Sequence, residues 1–266
     1  MIEFFVKIIG VGAASGIVHH QNMLYIISDN SSYLYEYQLD KNQLNKIALV
    51  ENSQENIPKK EKYDLEAIAK KGNKLHIIGS GSKENRNTQF SYHIIKQKVK
   101  INSLKKTYTQ LKKQFAISDD DLNIEGLLFA NNKTLIFQRG NGENSKNGIF
   151  IFDEKTDTFD FKEIVLPKIN NTTATFTDAV FIENKIYFLA TAEKSNSTYL
   201  DGEIAGSILG VLNFENFNIE KTIKISDTQK FEGLTLYKKT TNQLEFLLCE
   251  DNDTEALETT IYKIKI

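Results

Sequence analysis

At 266 residues, with 40% hydrophobic and 26% charged side chains, the chain is long enough to bury a sizeable core and falls within the range of folded globular domains. Its 33 Lys and Arg against 35 Asp and Glu leave a formal net charge of -2. That excludes the basic field that nucleic acid or an anionic membrane surface demands, so neither is expected as a partner. The single cysteine, Cys249, excludes an internal disulfide and sits in the apolar run LEFLLCE, where a buried, inert thiol is expected.

In chain order, the first segment, EFFVKII (residues 3–9), carries Glu3 where a signal peptide would be basic, and Lys7 interrupts its apolar stretch. It reads as a strand. With no apolar run near the ~18 residues of a membrane span, a cytoplasmic, monomeric protein is the default expectation. The first full unit follows as SGIVHH, MLYIISD, YLYEYQL and NKIALVE, four short strands separated by polar turns. The third unit parses alike, into EGLLFA, TLIFQRG, GIFIFD and FDFKEIV. Aligned on the residue preceding Gly or Ala, five units begin at Ser15, Glu66, Glu125, Asp178 and Glu232, at intervals of 51, 59, 53 and 54 residues. A period of this size marks a propeller or solenoid, and four antiparallel strands per period are one propeller blade.

The last unit has only TTIYKIKI after its second strand and so lacks a fourth. The otherwise unemployed strand 3–9 supplies it, which closes the ring and removes an open edge. The expected fold is therefore an all-β, five-bladed propeller spanning 1–266 as a single domain. Between units two and three, SLKKTYTQLKKQFAISDDD exceeds a loop's needs, and QLKKQFAI suggests a helical turn or two.

In an antiparallel pair the start of the first strand lies beside the end of the second. Ser15, Glu66, Glu125, Asp178 and Glu232 are thus expected around one channel mouth, with Asp29, Ser80, Arg86, Arg139, Glu193 and Asp251 beside them as ligand-contact candidates. Converging carboxylates repel unless neutralised. A bound cation would do this, and Ca²⁺ suits carboxylate oxygens, with Glu66, Glu125, Asp178 and Glu232 as its candidate ligands. An Arg139 bridge is a second solution. A third has the acids capping backbone N–H groups of the next blade.

Other motifs carry less. DNDTE at 251–255 lacks the Gly and closing Glu of a calcium-binding EF-hand loop. His19, His20, His76 and His93 do not cluster. GSGSKENRN at 79–87 reads either as a flexible loop or as an amide cradle for an anion.

The phrases DLEAIA with IIGSGSKENRN, DLNIEGLL with QRGNG, FTDAVF, and KFEGLTL, in that order, resemble an uncharacterised bacterial propeller family defined only as a domain of unknown function. The EG at the head of the first strands is more distantly similar to the esterase-like phytase and gluconolactonase-type propellers. That resemblance implies a divalent metal, commonly calcium, in the channel, held by Glu66, Glu125, Asp178 and Glu232 and supporting hydrolysis of a lactone or phosphoester. The chain departs from those families in blade count and shows no evident histidine base. The expected function is binding of a small polar molecule or divalent cation at an acidic mouth. The alternative is a non-catalytic scaffold holding a protein partner on the propeller face, but the rim, with Arg86, Arg139 and Tyr199 among Ser, Asn, Asp and Glu, favours the former.

Overall fold

The computed structural model describes residues 2–142, 144, 146–194, 202–251, 254 and 256–266. The strand β1 (Ile2–Ile9) is first in the chain but outermost in the last sheet. Blade 1 holds β2 (Ala14–His20), β3 (Met23–Ser28), β4 (Tyr33–Gln38) and β5 (Gln43–Ala48). Blade 2 holds β6 (Leu65–Lys71), β7 (Lys74–Gly79), β8 (Thr88–His93) and β9 (Lys98–Ser103), followed by the helix α1 (Lys105–Phe115). Blade 3 holds β10 (Ile124–Ala130), β11 (Lys133–Gln138), β12 (Gly148–Asp153) and β13 (Thr158–Glu163). Blade 4 adds a two-residue strand β14 (Lys168–Ile169) to β15 (Thr172–Ile182), β16 (Lys185–Lys194), β17 (Glu203–Asn213) and β18 (Ile219–Ser226). Blade 5 runs β19 (Lys230–Lys239), β20 (Leu244–Asp251), β21 (Glu258–Lys265), and is completed by β1.

Every sheet is antiparallel, and the innermost strands β2, β6, β10, β15 and β19 touch in cyclic order, with β19 returning to β2. The expected five-bladed ring and its closure by β1 against β21 are both present. Hairpin turns follow from residue type. Asn131 and Asn132 at φ 50° and 61° join β10 to β11, the left-handed pair that a two-residue hairpin turn requires.

Burial explains why the strands are apolar on both faces. Five hydrophobic clusters lie one between each pair of neighbouring blades. Between blades 5 and 1, Ile8 of β1 packs with Ile17, Tyr35, Leu247 and the buried Cys249, whose thiol pKa burial pushes up. Between blades 2 and 3, α1 contributes Tyr108 and Leu111, and the Tyr108 hydroxyl donates to the Gly79 carbonyl at 2.8 Å. The helix is eleven residues long, more than the turn or two expected, because its buried face closes that interface. Among the described residues no helix is long and apolar enough to cross a membrane.

Candidate functional site at the channel mouth

The recurring small-polar phrase has a backbone cause. In each innermost strand the pairing register skips one residue, a β-bulge, and the skipped residues are Ser15, Glu66, Glu125, Thr177 and Glu232. In blades 1, 2, 3 and 5 the residue after the bulge is Gly or Ala, where inner strands close on the axis. A Cβ on Gly233 would lie 2.5 Å from the Cys249 sulfur and 2.9 Å from Gly16 Cα. Blade 4 corrects the sequence alignment: its bulged residue is Thr177, not Asp178, and one step along a strand turns a side chain to the other face.

The bulged residues divide by chemistry. The Ser15 hydroxyl donates to the Leu65 carbonyl of blade 2, and Thr177 donates to the Phe231 carbonyl of blade 5 at 2.7 Å. These two hydroxyls tie one blade to the next. Asp178, out of the ring, accepts N–H bonds from Ala179 and, across the blade boundary, from Leu234, both at 2.7 Å. Burial nonetheless pushes its carboxyl well above the usual carboxylate range.

A second ring lies one bulge further up, made by cross-strand positions Asp64 with Ser80, Asn123 with Arg139, Thr175 with Thr191, and Lys230 with Asp251. Asp64 and Lys230 escaped the sequence reading, as did Lys62. The signal for two of them was there: Asp64-Leu65-Glu66 and Lys230-Phe231-Glu232 each place a polar residue two before the glutamate, on the same side of the strand.

Three polar groups result. In the first, the Lys62 ammonium bridges Asp29 and Asp64, the latter at 2.8 Å. Arg86, on a single 3-10 turn, donates to Asp64 at 2.6 Å and to the Ser82 hydroxyl at 2.8 Å, and Ser80 also donates to Asp64. The 79–87 segment therefore holds a buried ion pair rather than a mobile loop or an open anion cradle. In the second, buried Arg139 reaches Glu125 at 3.3 Å, Glu193, Glu232 at 3.8 Å and the Thr175 hydroxyl at 3.4 Å, linking blades 3, 4 and 5. In the third, Lys230 pairs with Glu232 at 2.8 Å and Asp251 at 3.1 Å. Tyr199 lies outside the described residues, as do parts of the 251–255 segment.

Glu66 differs from the other acids. Among the described residues nothing hydrogen-bonds to it and no cation lies within ion-pair distance, the Lys62 ammonium acting on it only at longer range, and one oxygen each of Asp29, Asp64 and Glu66 lie within 4.8 Å of one another. The Asp29 Oδ1 atom is buried without a partner. Around the mouth stand seven carboxylates, Asp29, Asp64, Glu66, Glu125, Glu193, Glu232 and Asp251, against the four cations Lys62, Arg86, Arg139 and Lys230. Burial, then Glu125, Asp64, Glu232 and Asp29, hold the Glu66 carboxyl well above its ordinary pKa. Burial also raises Asp29, Glu125 and Glu232, against the opposing pull of Lys62, Arg139 and Lys230 respectively.

These shifts set a pH dependence. A carboxyl whose folded pKa lies above its unfolded value keeps a proton that the unfolded chain has released, so stability falls as pH rises through that interval. Without divalent cations, scanning calorimetry between pH 5 and 8 is expected to show a decline in melting temperature with pH that is shallower in Glu66→Gln. An equal slope in the variant would show that Glu66 does not hold the proton. Comparing the two proteins cancels the contributions of His20 and His76, whose lowered pKa values act in the opposite sense.

The fold and mouth together define a five-bladed β-propeller whose channel entrance is rich in buried carboxylates and deficient in cations. The chain belongs to the family of unknown function DUF6929, which matches residues 10–266. Among solved structures it is similar to a glutaminyl cyclase of Myxococcus xanthus, at 10% identity and a TM-score of 0.55, covering 100% of this chain and 97% of that one. Weaker likenesses are to the hydrazine synthase of Kuenenia stuttgartiensis, at 8% identity and a TM-score of 0.45 over 91% of this chain and 57% of that one, and to a nidogen/laminin complex, at 9% identity and 0.47 over 90% and 76%. No curated protein matches. At 10% identity the likeness to the glutaminyl cyclase extends to the fold alone.

Proposed function

We propose that the channel mouth binds a divalent cation, with Asp29, Asp64 and Glu66 as oxygen ligands, and that this ion holds a small polar ligand. The supporting observation is the half-buried Glu66 carboxylate, without a hydrogen bond or close ion pair, at a mouth with three more acids than cations. The ligand set differs from the four acids expected from sequence. Glu125 and Glu232 are occupied by Arg139 and Lys230, and Asp178 by backbone amides. All-carboxylate oxygen donors suit Ca²⁺, Mn²⁺ or Mg²⁺ rather than a softer metal. When bound, such an ion would polarise a carbonyl or phosphoryl oxygen or acidify a water, the chemistry of lactone or phosphoester hydrolysis. The chain's own part would be to hold the ion through Asp29, Asp64 and Glu66, and the four histidines, which lie in β2, β7 and β8, take no part.

The melting temperature in EDTA against a Ca²⁺, Mg²⁺ and Mn²⁺ series tests this reading. At a hundredfold excess over Kd the linkage is about 2.7 kcal/mol, or roughly 5–11 °C for a domain of this size. Glu66→Gln should abolish the response without lowering the metal-free melting temperature. Because an entering ion competes with the Lys62 ammonium, Lys62→Gln should strengthen it. A flat response in the parent protein would overturn the proposal.

A further inference from the structure

A separate cavity of about 510 Å³ opens between blades 3 and 4 at the same face. Its outer wall exists because blade 4 is irregular. Strands β15, β16 and β17 have 11, 10 and 11 residues, where those of blades 1 to 3 have six or seven. The bulge at Thr177 shows where the extra length goes: five residues of β15, Thr172 to Phe176, precede it, against one in β2, β6 and β10. Those residues raise blade 4 above the mouth by roughly 13 Å at about 3.3 Å per residue. The opposite wall is the end of blade 3, and the floor is Thr175 and Glu193, both held by Arg139.

The lining has a definite chemical character. Val165, 79% exposed, is the most exposed large apolar side chain among the described residues and stands on one wall, while its neighbours Ile164 and Leu166 are buried in the core between blades 3 and 4. Facing the cavity with it are Asn171, Thr172, Thr173 and Glu163, whose side chains make no hydrogen bond within the described protein. They offer both donors and acceptors. Glu193 is held by Arg139, which also serves Glu125 and Glu232, and Lys194 pairs with Glu203, so among the described residues Glu163 is the one lining charge without an ion pair. A free anion would find no unpaired cation there. Among the described residues no aromatic ring lines the cavity, so a flat heteroaromatic ligand finds no stacking partner among them. The complement is an uncharged molecule with an aliphatic C–H face and a fringe of hydroxyls, and the volume lies within the range of small-molecule sites.

We propose that this cavity binds a neutral carbohydrate of one or two rings, with Val165 under the C–H face and Thr172, Thr173, Asn171 and Glu163 on the hydroxyls. The proposal does not rest on cation binding. The full chain, in EDTA, would be examined by saturation-transfer difference NMR and thermal shift against D-glucose, D-galactose, N-acetylglucosamine, maltose, cellobiose and myo-inositol. At least one sugar should give a saturable signal that weakens tenfold or more in Val165→Asp and in Thr172→Val/Thr173→Val, both surface changes that leave the core intact. The same sugar should bind Glu66→Gln as well as the parent, which separates this site from the channel. Binding by none of the six, or binding unchanged in both cavity variants, would overturn the assignment.

Discussion

Arg139→Met is expected to destabilise the protein by about 3–5 kcal/mol, the cost of removing one partner from a buried ion network, or roughly 6–20 °C in melting temperature. The guanidinium is 4% exposed and spans three blades through Glu125, Glu193 and Glu232. Without it those carboxylates stay buried near one another and near Glu66, and each must either take up a proton or remain as an uncompensated charge. Arg139→Lys should recover little, because a single ammonium cannot satisfy the planar, multidirectional contacts of a guanidinium. Arg139→Met with Glu193→Gln should lie nearer the parent than Arg139→Met alone, since one stranded charge is then gone. Urea denaturation at pH 7 gives the comparison. A loss below about 1 kcal/mol, the range of a surface pair, would show that the three acids are solvated rather than locked by Arg139.

The ring was legible because its physics is periodic. A blade must bury both faces, so its strands are apolar on both sides and the polar residues retreat to turns, leaving a repeat that recurs at a fixed interval. The missing fourth strand after TTIYKIKI and the spare strand at residues 3–9 are two halves of one pairing, and the register of Ile2 with Ile264 through Ile9 with Glu258 realises it. Predicted strand limits in units one and three fall within three residues of β2 to β5 and β10 to β13.

The site was harder to read, for two reasons. Alignment on Gly or Ala assumes that the small residue always follows the bulge. In blade 4 it does not: Asp178 takes the small residue's position, and Thr177 the glutamate's. A one-residue error costs nothing in the fold assignment and everything in the direction of a carboxylate. The second reason is range. Lys62 reaches Asp29 across 33 residues and Arg139 reaches Glu193 across 54, and neither partner shares a strand pair with the other. Spacing along one chain cannot show which of several basic residues arrives at an acid. Asp64 and Lys230 were nonetheless recoverable from their position two residues before a ring glutamate, where strand alternation points both side chains the same way.

The strand that begins the chain should be the most consequential single element for stability. Deleting residues 2–9 removes the fully buried Ile8 and the partly buried Ile2, Phe5 and Val6, along with the whole β1 ladder to β21. Loss of one buried Ile typically costs about 2–5 kcal/mol. Adding three half-buried side chains and a sheet edge brings the total into the 5–15 kcal/mol that a whole domain possesses. The truncated chain is therefore expected to be largely unfolded or aggregated at 25 °C, with β21 exposed as an unpaired edge. In the intact protein that hazard passes to β1, where a bulge between Phe4 and Val6 and the Lys7–Glu258 and Lys263–Glu3 ion pairs blunt an edge that still shows Phe4 and Ile9. A synthetic peptide of residues 2–9 should restore cooperative melting when added to the truncated chain, because the cleft it fills is an edge strand's own template. A truncated protein that melts within a few degrees of the parent would show that the interblade clusters alone hold the ring closed.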